Sequence, residues 1–124
     1  MRVLLDTHLL LWALAQPSKL SRACRDHLNA AEVYVSAASI WEIGIKSAVG
    51  RLRTDPREVL AAIEPAGFAS LSINGEHAAE AARLPPLHKD PFDRMLIAQA
   101  SIEPMILLTN DSLLRSYGPF VTLV

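Results

Sequence analysis

The stretch Val3-Leu4-Leu5-Asp6-Thr7-His8-Leu9-Leu10-Leu11-Trp12-Ala13-Leu14-Ala15 changes character at one acid. Ahead of Asp6 the chain is short and wholly apolar, which reads as a buried strand. After it comes a longer apolar run of helical composition, Leu9–Ala15, stopped near Pro17. A buried strand that ends at a carboxylate and leads into a helix is the opening of an α/β unit. The same stretch resembles a secretory leader, with Arg2 in front and Ala13-Leu14-Ala15 as a small-residue cleavage site. Asp6 and His8 interrupt its apolar run, and the strand reading suits them better. No apolar run in the chain approaches the ~20 residues of a membrane span, so no membrane partner is expected.

The alternation continues. Ser21 caps a helix through Leu28 to Ala31, and Val33-Tyr34-Val35 is β-branched and aromatic, a strand. Ala38–Val49 reads as a helix ended by Gly50; Asp55-Pro56 opens another that ends near Gly67. Phe68–Ile73 reads as a strand, and Glu76–Leu84 as an Ala-rich helix stopped by Pro85-Pro86. Asp90 to Glu103 is a long helix, Met105–Leu108 a strand, Asp111–Tyr117 a short helix and Phe120–Val124 a last strand. Strands separated by helices predict a parallel sheet covered on both faces. The Pro85–Lys89 segment reads as the loosest part. With 124 residues and no linker or repeat, the chain is expected to form one domain over 1–124.

Composition narrows the function classes. Apolar residues make up 51%, which argues against disorder and hints at a buried partner surface, although a tight core accounts for it equally. The net charge of −1 gives no global attraction to nucleic acid, so any such binding depends on local patches. Cys24 is the one cysteine, which excludes an internal disulfide and suits a cytoplasmic setting.

Four acids stand out by position. In an open parallel sheet, ligands bind beyond the C-terminal strand ends. Asp6 follows the first strand, and Asp111 follows Met105–Leu108 after Thr109-Asn110. Either could simply cap a helix. In Asp90-Pro91-Phe92-Asp93, Asp90 suits the cap and Asp93 the first turn, where a carboxylate favours the helix dipole; the reverse division of roles stays open. Glu42 lies among Ile40, Trp41, Ile43 and Ile45. It is either a surface acid paired with Lys46 or an acid held in apolar surroundings by a partner such as a metal. Four converging carboxylates repel one another, and hard divalent cations such as Mg²⁺ or Mn²⁺ relieve that repulsion. No His/Cys cluster suits zinc. An acidic metal centre without a nucleotide-binding glycine loop points to phosphodiester hydrolysis.

These residues together resemble the PIN-domain nucleases, and within them the VapC-type toxins. The resemblance is carried by Leu4-Leu5-Asp6-Thr7, Ser39-Ile40-Trp41-Glu42-Ile43, His88-Lys89-Asp90-Pro91-Phe92-Asp93-Arg94 and Thr109-Asn110-Asp111, in order over nearly the whole chain. It implies a PIN-like three-layer α/β sandwich with a parallel five-stranded sheet of order 3-2-1-4-5. It also implies Mg²⁺- or Mn²⁺-dependent endoribonuclease activity, a homodimer and a cognate inhibitory antitoxin. The form DPFDR is associated with a VapC subgroup often paired with Phd-like antitoxins. By this resemblance Asp6 and Asp93 lead as metal ligands, Glu42 holds the metal or orients the attacking water, and Asp111 completes the centre.

Supporting roles follow. Thr7 and Thr109 are expected to fix the acids through their hydroxyls. Arg94 is expected to steady the scissile phosphate or to pair with Asp90. Lys46, Arg51, Arg53 and Arg57 either track an RNA backbone or form a solvated helix end. His8, His27, His77 and His88 share no ligand spacing, and most of them are expected at the surface or in loops, with His88 beside the acidic loop. Trp12 and Trp41 are expected in the core rather than stacking on bases. The helices Leu9–Ala15 and Glu76–Leu84 are candidate dimer faces. The antitoxin is expected to cover the acidic crevice with an Arg directed at the carboxylates. Other readings fit less well. A phospho-receiver needs a second acid beside Asp6 and a Lys after the last strand, and a haloacid-dehalogenase-like phosphatase needs an acid where His8 stands. A binding module with an inert acidic pocket would keep the fold and lose the chemistry.

Overall fold

The chain is described over Met1–Val124 by a computed structural model. Five strands form one sheet of order β3-β2-β1-β4-β5: β1 (Arg2–Leu5), β2 (Glu32–Ser36), β3 (Ala69–Leu71), β4 (Ile106–Thr109) and β5 (Val121–Leu123). Every neighbouring pair is parallel. Six α-helices connect them: α1 (Thr7–Ala15), α2 (Arg22–Ala30), α3 (Ala37–Ala48), α4 (Pro56–Ile63), α5 (Gly75–Arg83) and α6 (Pro91–Ile102). There are also 3-10 turns at Pro17–Lys19 and Ser112–Tyr117. The segment Asp111–Tyr117, read as a short helix, is thus a 3-10 turn capped by Asp111.

The sheet divides two cores. Val3, Leu5, Val33, Val35 and Leu108 pack with Leu9, Leu10, Cys24, Ile43, Val59 and Ile63, from α1–α4. Leu4, Leu107 and Val121 pack on the other side with Leu96, Ile97, Ala100 and Leu114. Alternate residues of one strand serve opposite faces, so Leu4 belongs to one core while Val3 and Leu5 belong to the other. This is why β1 carries no polar residue between Val3 and Leu5.

The third strand is shorter than Phe68–Ile73. Its ladder with β2 runs from Tyr34↔Ala69 to Ser36↔Leu71, and α3 begins at Ala37. Beyond Leu71 no partner backbone remains, and as an edge strand β3 leaves Ala69 and Ser70 exposed.

Several placements differ from expectation. Trp12 packs against the core, but Trp41 is 64% exposed. The inward face of α3 is Ala38, Ser39, Glu42 and Ile43, and Trp41 is turned off it. His77 is buried: its Nδ1 accepts from the Asn74 N–H at 3.2 Å, and its Nε2 lies 2.6 Å from Glu103 Oε2. The Pro85–Lys89 segment is tied down, as described below. Neither helix named as a dimer face carries large exposed apolar side chains; among those that are exposed are Trp41, Ile45 and Val49 on α3 and its end, Leu60 on α4, and Ile73 after β3.

Leu107 is fully buried in the central layer, whereas Leu113 is 61% exposed. Leu107→Ala should destabilise the protein by about 2–5 kcal/mol, and Leu113→Ala by about 0.5 kcal/mol at most. Urea unfolding of the two variants beside the parent checks this.

Candidate metal centre

The centre is assembled where β1 and β4 end side by side. The register places Leu5 against Leu108, and the Asp6 N–H donates to the Leu108 carbonyl at 3.0 Å. Asp6 is buried, and both of its carboxylate oxygens are held. Oδ1 accepts from the Thr7 N–H at 2.6 Å, and Oδ2 accepts from the Thr109 hydroxyl at 2.6 Å. Thr109 Oγ1 also accepts from the Asp111 N–H at 3.0 Å, so one hydroxyl joins the two strand-end acids. Thr7 acts differently from the expectation: its backbone holds Asp6, and its hydroxyl donates to Ser39 Oγ on α3 at 2.9 Å. Ser39 was not singled out in the sequence. Its signal is the spacing Ser39–Glu42–Ile43, which puts all three on one helix face.

Glu42 is buried on α3. Its Oε2 accepts from Lys46 Nζ at 2.5 Å, while its Oε1 is buried with no hydrogen-bond partner. The pairing with Lys46 is present, but Glu42 is buried and not a surface acid. Lys46 is drawn inward, and its ammonium is held above its ordinary pKa, first by the hydrogen bond it donates to Glu42 and further by the charges of Glu42, Asp90 and Asp93. Its ammonium is engaged with Glu42. Arg51, Arg53 and Arg57 are exposed beyond the C-terminal end of α3.

At the start of α6, Asp90 Oδ1 accepts from the N–H groups of Phe92 (2.8 Å) and Asp93 (3.2 Å), closing the helix end. Asp93 is left free of this duty, and its Oδ2 lies 2.8 Å from His88 Nε2. One ligand atom each from His88, Asp93 and Asp111 lie within 4.8 Å of one another. Arg94 makes no ion pair with Asp90. Its guanidinium donates to the carbonyls of Ala81 (2.9 Å), Leu84 (3.0 Å), Pro85 (3.1 Å) and His88 (3.3 Å), which ties the preceding loop to α6. Tyr117 adds two bonds: its hydroxyl donates to the Pro85 carbonyl and accepts from the His88 N–H, both at 3.0 Å. The segment read as loose is thus pinned from both sides.

The electrostatics record how the acids crowd. Burial raises the pKa of Asp6 above the ordinary 3.8, against the bonds from Thr109 and Thr7, and Glu42 raises it further. Asp93 is pushed up to about 7 by burial first, then by the charge of Asp6, with Asp90 and Glu42 adding. Asp6, Glu42 and Asp93 therefore share one electrostatic neighbourhood, and Thr109 links Asp111 to it. An unpartnered buried oxygen on Glu42 beside two raised carboxyls describes a site short of positive charge. The donor set is oxygen-rich and fits a hard divalent cation.

A parallel sheet of this order with acids at the β1 and β4 ends defines an α/β protein with an acidic centre at its switch point. The model of the PIN domain family matches residues 3–118, and the chain belongs to that family. Solved structures share the fold. A chain of VapBC2 from Rickettsia felis, bound to a DNA fragment from its promoter, aligns with TM-score 0.71 at 15% identity, covering 100% of this chain and 98% of that one. DNA-bound VapBC from Salmonella typhimurium gives 0.68 at 18%, covering 100% and 97%. FitAcB from Neisseria gonorrhoeae gives 0.63 at 20%, covering 93% and 91%. No curated protein matches the chain by sequence.

The raised carboxyl of Asp93 makes stability depend on pH. The folded state holds its proton up to about 7, the unfolded chain only to 3.8. Stability of the metal-free protein therefore falls as pH rises between those values. Asp93→Asn removes that cost. In chelator at pH 8 the variant should melt about 4 °C or more above the parent, with the difference shrinking towards pH 4; scanning calorimetry across that range checks it.

Proposed function

We propose that this protein is a VapC-type toxin: an Mg²⁺- or Mn²⁺-dependent endoribonuclease that hydrolyses RNA phosphodiester bonds at the centre formed by Asp6, Glu42, Asp93 and Asp111. PIN domains are nucleases, and the similar solved chains come from toxin–antitoxin complexes. The observation that carries the reading is the buried, unpartnered Oε1 of Glu42 beside two carboxyls whose protons are held above the ordinary range. That pattern suits a metal centre better than an inert pocket, which would gain nothing from sheltering mutually repelling acids.

Asp6, Asp93, Glu42 and Asp111 would hold the cation. When bound, it supplies Lewis acidity towards the scissile phosphate and neutralises the carboxylates. The chain's own residues do the rest. Thr7 and Thr109 fix the direction of both Asp6 oxygens, so the ligand geometry is set before substrate arrives. Glu42 Oε1 would either hold the cation or accept a hydrogen bond from the attacking water and aim it, while Lys46 keeps Oε2 from turning away. With the carboxyl of Asp93 at about 7, binding of the cation competes with that proton and strengthens as pH rises through 7.

Cleavage of structured RNA by the purified protein should require Mg²⁺ or Mn²⁺ and stop in chelator. It should fall by at least about 100-fold in Asp6→Asn and in Asp93→Asn variants shown to be folded. Metal-independent cleavage, or cleavage that survives both substitutions, would refute the assignment. An inert pocket would bind metal without coupling it to any cleavage.

The protein's partners follow from its surface. The apolar side chains exposed on α3, on α4 and after β3 are proposed to meet a second copy of the chain. Light scattering should give a dimer that Trp41→Glu dissociates; a monomeric parent would refute this. The cognate antitoxin is proposed to close the crevice with an Arg against the carboxylates. An antitoxin that leaves cleavage unchanged at equimolar ratio would exclude that mode.

A further inference from the structure

The acidic centre contains one nitrogen donor that the proposed chemistry does not use. We infer that His88 is itself a ligand of the divalent cation, together with Asp93 and Asp111, and that its imidazole biases the site towards Mn²⁺ and similar nitrogen-accepting cations over Mg²⁺ and Ca²⁺. This rests on the metal-centre reading above.

Three observations carry it. The first is distance. His88 Nε2 and Asp93 Oδ2 are 2.8 Å apart, and Asp111 brings a third donor within 4.8 Å of both. Two donors at adjacent corners of an octahedral cation with bonds of about 2.1 Å lie about 3 Å apart. With the longer bonds of Ca²⁺ that edge widens to about 3.4 Å. The His88–Asp93 pair thus has the spacing of two neighbouring ligands on a small divalent ion.

The second is how His88 is held. Its N–H donates to the Tyr117 hydroxyl, and its carbonyl accepts from Arg94. Arg94 fixes the same loop at Ala81, Leu84 and Pro85. A side chain carried on a backbone anchored at both its N–H and its C=O is preorganised, as a ligand must be to offset the loss of its rotamer freedom. A histidine serving only as a surface residue has no use for such anchoring.

The third is independent of His88. Glu42 Oε1 is buried without a partner, and Glu42 stands near enough to Asp93 to raise its pKa. The two acids are therefore close enough to repel, which a cation would relieve. Softer nitrogen ligands shift preference along the divalent series towards Mn²⁺ and beyond, whereas Mg²⁺ and Ca²⁺ keep to oxygen.

The competing account gives Nε2–H a single role as hydrogen-bond donor to Asp93, a positioning role without metal contact. Electron spin-echo envelope modulation of the full chain loaded with Mn²⁺ separates the two. The expected result is ¹⁴N coupling from a directly bound imidazole, lost in His88→Gln. That variant should bind Mn²⁺ about tenfold or more weakly while its Mg²⁺ affinity changes less. Bound Mn²⁺ without nitrogen coupling in the parent protein overturns the inference and leaves the metal centre standing. Coupling that persists in His88→Gln assigns the nitrogen to another ring, His8 foremost, and also overturns it. Failure of the parent to bind Mn²⁺ at all removes the metal centre itself, and the inference with it. The parent spectrum decides between ligand and donor even if the variant does not fold.

Discussion

Asp6 sits at the end of the central strand with a neighbour on either side, and only one of them can reach its carboxylate. The hydroxyl of Thr109, at the end of β4, donates to Asp6 Oδ2 at 2.6 Å and accepts from the Asp111 N–H at 3.0 Å. The remaining geometry of the centre depends on this bond. It fixes the direction of the first acid, sets the backbone that carries the fourth, and exists only because β1 pairs with β4. Thr7 extends the same logic to the other side, since its hydroxyl meets Ser39 on α3, one turn before Glu42. Two neighbouring strand ends and a helix face are thereby brought together by a few short polar contacts.

That point is electrostatically unfavourable in the bare protein. Burial and mutual repulsion push the carboxyls of Asp6 and Asp93 upwards. One lysine offsets part of the charge through Glu42 Oε2. The well-packed cores on both sides of the sheet supply the stability that lets such a cluster persist. Functional sites commonly depart in this way from what would be best for the fold alone.

Much of this was legible in the sequence because the signals were periodic or punctuated. Strand runs ending in an acid, helix caps at Ser21, Asp55 and Asp90, and stops at Gly50 and Gly67 follow from local chemistry, and the sheet order followed from the family resemblance. What escaped was decided at longer range. The truncation of β3 depends on where its partner turns into a helix, at Ala37. The exposure of Trp41 depends on which face of α3 carries Ser39 and Glu42. The anchoring of the loop by Arg94 escaped because its partners are backbone carbonyls, which no side-chain pattern records. His77 was read as a surface residue, because its partner Glu103 lies 26 positions away.

The pairing of β1 with β4 also sets a timetable. The bond between Thr109 and Asp6 spans 103 positions, and parallel strands joined across such a separation are among the last contacts a chain can form. During synthesis the first hundred or so residues can build α1–α5 and the β1–β2–β3 portion of the sheet. They cannot supply Thr109 or Asp111. An incomplete chain therefore carries Asp6 and Glu42 without the strand that completes their surroundings. The fold thus completes its acidic cluster only once β4 has joined β1.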